Sequence, residues 1–422
     1  MKKLMILCML ASASTFLFSG GTKEAKPEEG IKTIRFATWG VQEKGTQGYF
    51  ETFKSKFEAS NPTVKIEWIS YPYTQIKQQV LVMGAAGQIP DLIQAERGWL
   101  AGMISSGYTS PLDNSLTPDY MKEVQPALKE DLSLDGKVWG AVWIYSPFLL
   151  YYNKDLFRQA GLDPSKPPKT YQEAFEYARK ISKLKDKDGN NVYGLGITTG
   201  NVPVSGACLL SVLFSFGGGI WDASGAIRAD TDPNREALEF LSTLNKEKLN
   251  PEGAKLKDHR NLFAINRLGM YLDQLWGLNG VKAINPAVIP SVGASGPLGS
   301  ARSMGKSTLE AHILMLGKGS KVSKEAGRLV DFLTSKEMLR EYLSVNPFLA
   351  ARTSAAASLT EAEPLLAPLK DVASSIVSVM KHPNLEAAYL ELTNAAQAVT
   401  VGKIMANEVV KTMDSKLKET LK

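Results

Sequence analysis

Catalytic chemistry has little raw material in this sequence. Its three histidines, His259, His312 and His382, are scattered, with no His-Glu-x-x-His pair and no Cys or His cluster at ligand spacing. No Gly-x-Ser-x-Gly elbow occurs. Gly305-Lys306-Ser307-Thr308 has the tail of a phosphate-binding loop. However, Gly299 stands one residue too far back for that spacing, and an apolar strand-like run follows where a helix should begin. Asp186-Lys-Asp-Gly-Asn190 reads as a hairpin turn, because its glycine follows the second aspartate too soon for a calcium loop. Carboxylates abound, but any chain of this size offers pairs, so they do not by themselves indicate a glycosidase. The expectation is no metal, no cofactor and no enzyme.

The aromatic residues are more informative. Several of the seven tryptophans stand beside turns: Trp39 ends the first β-rich run, Trp99 follows Glu96-Arg97, Trp221 follows a triple glycine, and Trp276 follows Asp273. An indole face packs against the apolar C–H face of a sugar ring, while planar Asp, Glu, Asn or Arg groups bond its hydroxyls two at a time. Glu96-Arg97 and Asp273 beside Trp276 supply both halves of that requirement. The same residues also read as core plugs, a surface ion pair and a loop acid, and sequence alone leaves both readings open.

The elements that must position these residues alternate. Lys32–Thr38 is β-rich, and a helical pattern through Phe50, Phe53 and Phe57 stops at Asn61-Pro62. Val64–Ile69 reads as a strand, Gln75–Met83 as a helix, Asp91–Ala95 as a strand, and Trp99–Ser106 as a helix closed by Gly107. Trp139–Tyr152 reads as strand and crossover, Asn153–Ala160 as a helix, and Thr170 caps a helix over 171–184. Strands follow at 192–198, 268–272 and 309–316, with a helix over 234–245. The Gly, Pro and Ser of 285–305 suit a loop or linker, and from Ser323 the chain is mainly helical. This alternation predicts an α/β fold with parallel or mixed sheets.

At 422 residues, 44% apolar and 22% charged, the chain suits two lobes of ordinary size. The charge of +6 is mild and no Arg/Lys tract with interleaved aromatics appears, so nucleic acid is not expected as a partner. Lys2-Lys3, the apolar run Leu4–Phe18 and the small residues Ser19-Gly20-Gly21 read as a signal peptide, 1–21, followed by a polar tether, 22–30. Cys8 lies within that signal, which leaves Cys208 alone, so the exported fold stands on its cores without an internal disulfide.

In order along the chain, several stretches resemble family 1 extracytoplasmic solute-binding proteins, the family of the maltose-binding protein. They are Lys32–Gly40, Phe57-Glu-Ala-Ser-Asn-Pro62, Pro90-Asp-Leu-Ile-Gln94, Leu150-Tyr-Tyr-Asn-Lys-Asp-Leu-Phe-Arg-Gln-Ala-Gly-Leu162, Pro167–Glu173, Phe216–Gly225, Gly269-Met-Tyr271 with Trp276, Ala326–Glu337 and Ala395–Val410. The resemblance implies two α/β lobes of mixed sheets flanked by helices, with a ligand cleft between them. It implies three crossings, placed near Ser146, near 303–309 and near 349–356. The lobes would then be 31–145 with 306–350, and 146–305 with 351–422. Hinge closure around the ligand would convert occupancy into a shape that an importer reads.

By the same resemblance, Glu96 and Arg97 stand where the family sets a polar pair facing a sugar. Trp276 stands at a stacking tryptophan and Tyr389 where a second aromatic stacker is common. Ser146 takes a hinge position held by an acid in the maltose binder, which argues against assuming maltose. Trp39 and Glu43 are plausible contacts by location, and Arg352 lies in a segment that often enters the cleft. The implied protein is a monomeric, exported binding component that hands a sugar to the permease subunits of an ATP-binding cassette importer. Gly20 and Gly21 stand where a lipid-bearing cysteine would be expected, so a lipid anchor is unsupported. Two alternatives accompany this reading. One is an anionic ligand, a uronate or glycerophosphodiester, gripped by Arg97, Arg302, Lys306 and Arg352. The other is an exported polysaccharide-active enzyme.

Overall fold

In the computed structural model, residues 30–43, 45–362 and 365–422 are described. The expected signal peptide and residues 22–29 of the tether lie outside them. The β-rich opening run forms the strand Lys32–Ala37, which pairs in parallel with Val64–Ile69 on one side and Leu92–Glu96 on the other. The strand Glu310–Gly317, far away in sequence, inserts antiparallel between Leu92–Glu96 and Ala141–Ser146, setting His312 opposite Glu96 and Glu310 opposite Ser146. Leu349–Ala350 completes the far edge and Thr109–Ser110 pairs with the end of Glu310–Gly317, giving seven strands. A second, four-stranded sheet runs in the order Val292–Ser295, Leu149–Asn153, Leu268–Asp273, Tyr193–Gly196. Both sheets are mixed, as the sequence predicts.

Helices cover these sheets for reasons visible in their residues. Gln47–Ser60 buries Tyr49, Phe50, Phe53 and Phe57 along one stripe against the first sheet. Tyr171–Ile181 begins with a capping box, in which Thr170 accepts from the Glu173 amide while the Glu173 carboxylate takes the Thr170 amide. Pro203–Ser215 packs on Leu385–Thr400 so closely that a Cβ at Gly206 would sit 2.1 Å from the Tyr389 carbonyl oxygen. Cys208 is a fully buried free thiol in that same helix. Among the described residues, no helix is long and apolar enough to cross a membrane.

Two stretches differ from the sequence reading. Residues 285–305 were expected to lack regular structure, yet Val292–Ser295 is a strand antiparallel to Leu150–Asn153. Its small residues, which read as a linker, are small because the Tyr152 ring lies over them; a Cβ on Gly293 would meet that ring at 2.1 Å. The second difference concerns the packing of Thr353–Ala362. Thr353–Ala362, assigned by sequence to the second lobe, packs on Lys336–Leu343 and on Leu349–Ala350, with the first sheet. The chain then runs through Ile376–Val377, which pairs with Ser307–Thr308, to the Leu385–Thr400 helix of the second sheet's core. Sequence order cannot show this helix packing, which sets Thr353–Ala362 with the first sheet.

Candidate functional site

Three strands of the first sheet end at one edge, and a fourth begins there. Lys32–Ala37 delivers Thr38 and Trp39, Leu92–Glu96 delivers Glu96 and Arg97, Ala141–Ser146 ends at Ser146, and Glu310–Gly317 starts with Glu310 and His312. Open α/β sheets bind ligands at such carboxyl ends. The second sheet answers with Asp273 at a strand end and Trp276 just beyond it. Leu385–Thr400 adds Glu386 and Tyr389.

The aromatic groups form a continuous run. Trp39 is buried and meets Tyr73 at 5.6 Å, Trp99 at 5.8 Å and His312 at 5.0 Å between ring centroids. His312 in turn stacks on Trp276 at 5.0 Å and 29°. Gly40 permits this placement of Trp39, because a Cβ there would lie 2.1 Å from the Phe50 ring. Lys77 Nζ lies 5.6 Å from the Trp99 ring and is ion-paired with Glu386, tying the Tyr73–Ala85 helix to Leu385–Thr400.

Two carboxyl groups stand in this aromatic surround without an ion pair among the described residues. Glu96 accepts from the Tyr73 hydroxyl at 2.8 Å, and Glu310 accepts from Thr308 Oγ1 at 3.2 Å. Burial pushes Glu96 up to about 7, with Glu386 raising it further while Tyr73 and Lys77 oppose. Burial likewise pushes Glu310 up to about 8, helped by the nearby Glu96 and opposed by Thr308 and Arg97. Near neutrality the pair therefore offers both a carboxylate acceptor and a protonated carboxyl donor, which is the combination that hydroxyl groups need.

These raised values carry a stability prediction. The unfolded glutamates ionise near ~4.3, so stability falls as pH rises from there through the folded values and levels off above them. Glu96→Gln and Glu310→Gln should each stabilise the ligand-free protein at pH 8.5 by several kcal/mol, at ~1.4 kcal/mol for each unit between ~4.3 and the folded value, and give no gain at pH 4. Urea unfolding at the two pH values measures this. Equal effects at both would mean that the groups are not strained by ionisation.

The remaining sequence candidates are divided. Tyr389 is buried beside Glu310, Arg97 and Asp131. Arg97 is buried and grips Asp131 with two bonds, Nε to Oδ2 at 2.6 Å and Nη2 to Oδ1 at 2.9 Å, while Nη2 also reaches the Val379 carbonyl at 2.6 Å. Ser378 adds its hydroxyl to Asp131, so this cluster holds the returning chain against the first sheet. Asp273 is bonded bidentately by Arg260 at 2.6 and 2.8 Å and takes the Gln274 amide. Ser146 Oγ accepts from the Leu275 amide at 2.8 Å. Asp273 and Ser146 thus shape the turn that carries Trp276. Glu43 is exposed, and its carbonyl receives the amides of Thr46 and Gln47. Arg352 lies in a separate ion-pair group with Glu123 and Asp331.

Sequence reasoning missed Tyr73, Gln94, Glu310, His312 and Glu386. Glu310 and His312 did leave a signal: they are polar residues two apart in the otherwise apolar run Leu309–Leu316, and so share one face of the strand.

With this geometry in place, comparison with known proteins is direct. A binding protein of Brucella abortus (strain 2308) is 27% identical over 309 residues, 72% of each chain. The arabinooligosaccharide-binding protein of Bacillus subtilis (strain 168) is 22% identical over 253 residues, 59% of this chain and 56% of that one. The sugar-binding protein MalE of Xanthomonas citri superposes with a TM-score of 0.80 at 20% identity, covering 92% of this chain and 97% of that one, so the fold is the two-lobed one. The sequence model of bacterial extracellular solute-binding proteins matches residues 40–339, a span that takes in the second sheet and, of the strands meeting at the site, Leu92–Glu96, Ala141–Ser146 and Glu310–Gly317. The chain therefore belongs to the family of bacterial extracellular solute-binding proteins.

Proposed function

We propose that this protein is the extracytoplasmic binding component of an ATP-binding cassette importer. It takes a neutral sugar or oligosaccharide between its lobes and presents it to the permease, without catalysis. The observation that carries the ligand class is the aromatic run Trp39–His312–Trp276 set beside the two un-ion-paired carboxyls of Glu96 and Glu310. Indole faces cover C–H surfaces, and the carboxyls bond hydroxyls from either side of the proton balance. Sugar binding by the relatives from Bacillus subtilis and Xanthomonas citri supports this reading. The direct contacts are Trp39, Glu96, Glu310, Trp276 and Tyr389. An anionic ligand is disfavoured, because three of the four cations offered for it, Arg97, Arg302 and Arg352, are ion-paired, with Lys306 the fourth, while the carboxyls of Glu96 and Glu310 lie near each other at the site. Export by the N-terminal signal and a monomeric state complete the reading.

A thermal-shift panel of neutral, acidic and oligomeric sugars tests it. At ~100 times the dissociation constant, the ligand adds ~2.7 kcal/mol of stability, which appears as a clear rise in melting temperature. Shifts with glucuronate or glycerophosphodiesters alone would overturn the neutral-sugar assignment, and turnover of a polysaccharide would overturn the non-catalytic one.

A further inference from the structure

We propose that His312 is a positioning residue that sets the plane of Trp276 and so the orientation in which a sugar ring stacks on it. This rests on the carbohydrate reading above. Trp276 sits half-buried at the start of the Gly277–Ile284 helix, and His312 is its ring partner among the described residues. The two rings lie 5.0 Å apart and only 29° from parallel, so the imidazole covers one indole face and leaves the other for a ligand.

His312 is itself held from two sides. The Trp39 ring meets it edge-on at 5.0 Å and 81°. Gln94 Nε2 lies 3.5 Å from His312 Nδ1, and the buried Thr38 hydroxyl donates to Gln94 Oε1 and orients that amide. Burial pulls the imidazole down to about 4, so it stacks as a neutral ring at physiological pH. The backbone is also modified here. The pairing of Glu310–Gly317 with Ala141–Ser146 shifts register between His312 and Ile313, and such bulges re-aim a side chain. A histidine that merely filled the core would need neither the bulge nor a ring from the turn beyond Leu268–Asp273.

The test is calorimetry of the full chain with maltose, maltotriose, arabinotriose and tagatose, each beside a melting curve. For whichever of these sugars the wild type binds, His312→Ala should weaken binding by about tenfold, the worth of one aromatic pair, with little change in melting. His312→Phe keeps the stack and should stay within about threefold of wild type. In a Trp276→Ala background, His312→Ala should cost nothing further, since the two act as one unit. Should the alanine variant fail to fold, His312→Gln retains bulk without a ring and should show the same loss. Wild-type affinity in His312→Ala or His312→Gln overturns the proposal, as do a phenylalanine as weak as alanine or losses that simply add. Failure of the wild type to bind any of the four sugars would overturn the carbohydrate reading and this inference with it.

Discussion

Replacing Arg97 with alanine is expected to destabilise the protein by about 3–5 kcal/mol, because it strands the buried Asp131 carboxylate without its counter-charge. The guanidinium makes two parallel bonds to Asp131 and a third to the Val379 carbonyl, with both side chains almost wholly buried. Burial works against the charge of each partner, and their mutual attraction more than offsets it, raising Arg97 and lowering Asp131. The sign for pH follows. Asp131 is depressed in the folded state, so its contribution is present above the unfolded value of ~3.9 and is lost as pH falls below it. In Arg97→Ala that acid-sensitive contribution disappears. Adding Asp131→Ala to Arg97→Ala should recover part of the loss, since the uncompensated charge is then gone. Urea unfolding of the two variants at pH 7 and pH 3 measures both effects. A variant that keeps wild-type stability but loses ligand affinity would instead support the ligand-contact role expected for Arg97 from sequence.

Trp276→Ala carries the largest expected effect on binding, about 2 kcal/mol or roughly thirtyfold in affinity, with the fold intact. The residue lies beyond a strand end on a turn built by Asp273, Ser146 and Arg260, and its removal leaves that turn's bonds in place. Trp68→Ala is the contrast. Trp68 packs against Phe36 at 5.7 Å and Phe50 at 5.8 Å, so its loss should lower the melting temperature and leave affinity alone. Calorimetric titration with the sugar found by thermal shift, run beside melting curves, separates the two. Equal affinity losses in both variants, or none in a folded Trp276→Ala, would move the ligand away from Trp276.

Sequence by itself determined the α/β alternation, the helix stripes and caps, and the aromatic-beside-turn pattern, because these rest on local periodicity and turn chemistry. Trp39, Glu96 and Trp276 stand out in the sequence because each lies at or just beyond the end of a β-rich run. Tertiary structure decided which charged groups are already engaged. Arg97 and Asp131 are 34 residues apart, and Arg352 and Glu123 are 229 apart, so no spacing rule pairs them. It also decided that Glu310 and His312 join the site. The strand that carries them enters the sheet from far downstream, between Leu92–Glu96 and Ala141–Ser146, and only that insertion sets their side chains against Glu96, Trp39 and Trp276. Long-range strand pairing and the burial it creates are set by the whole chain at once, and that burial is what turns two ordinary glutamates into carboxyls that titrate near neutrality.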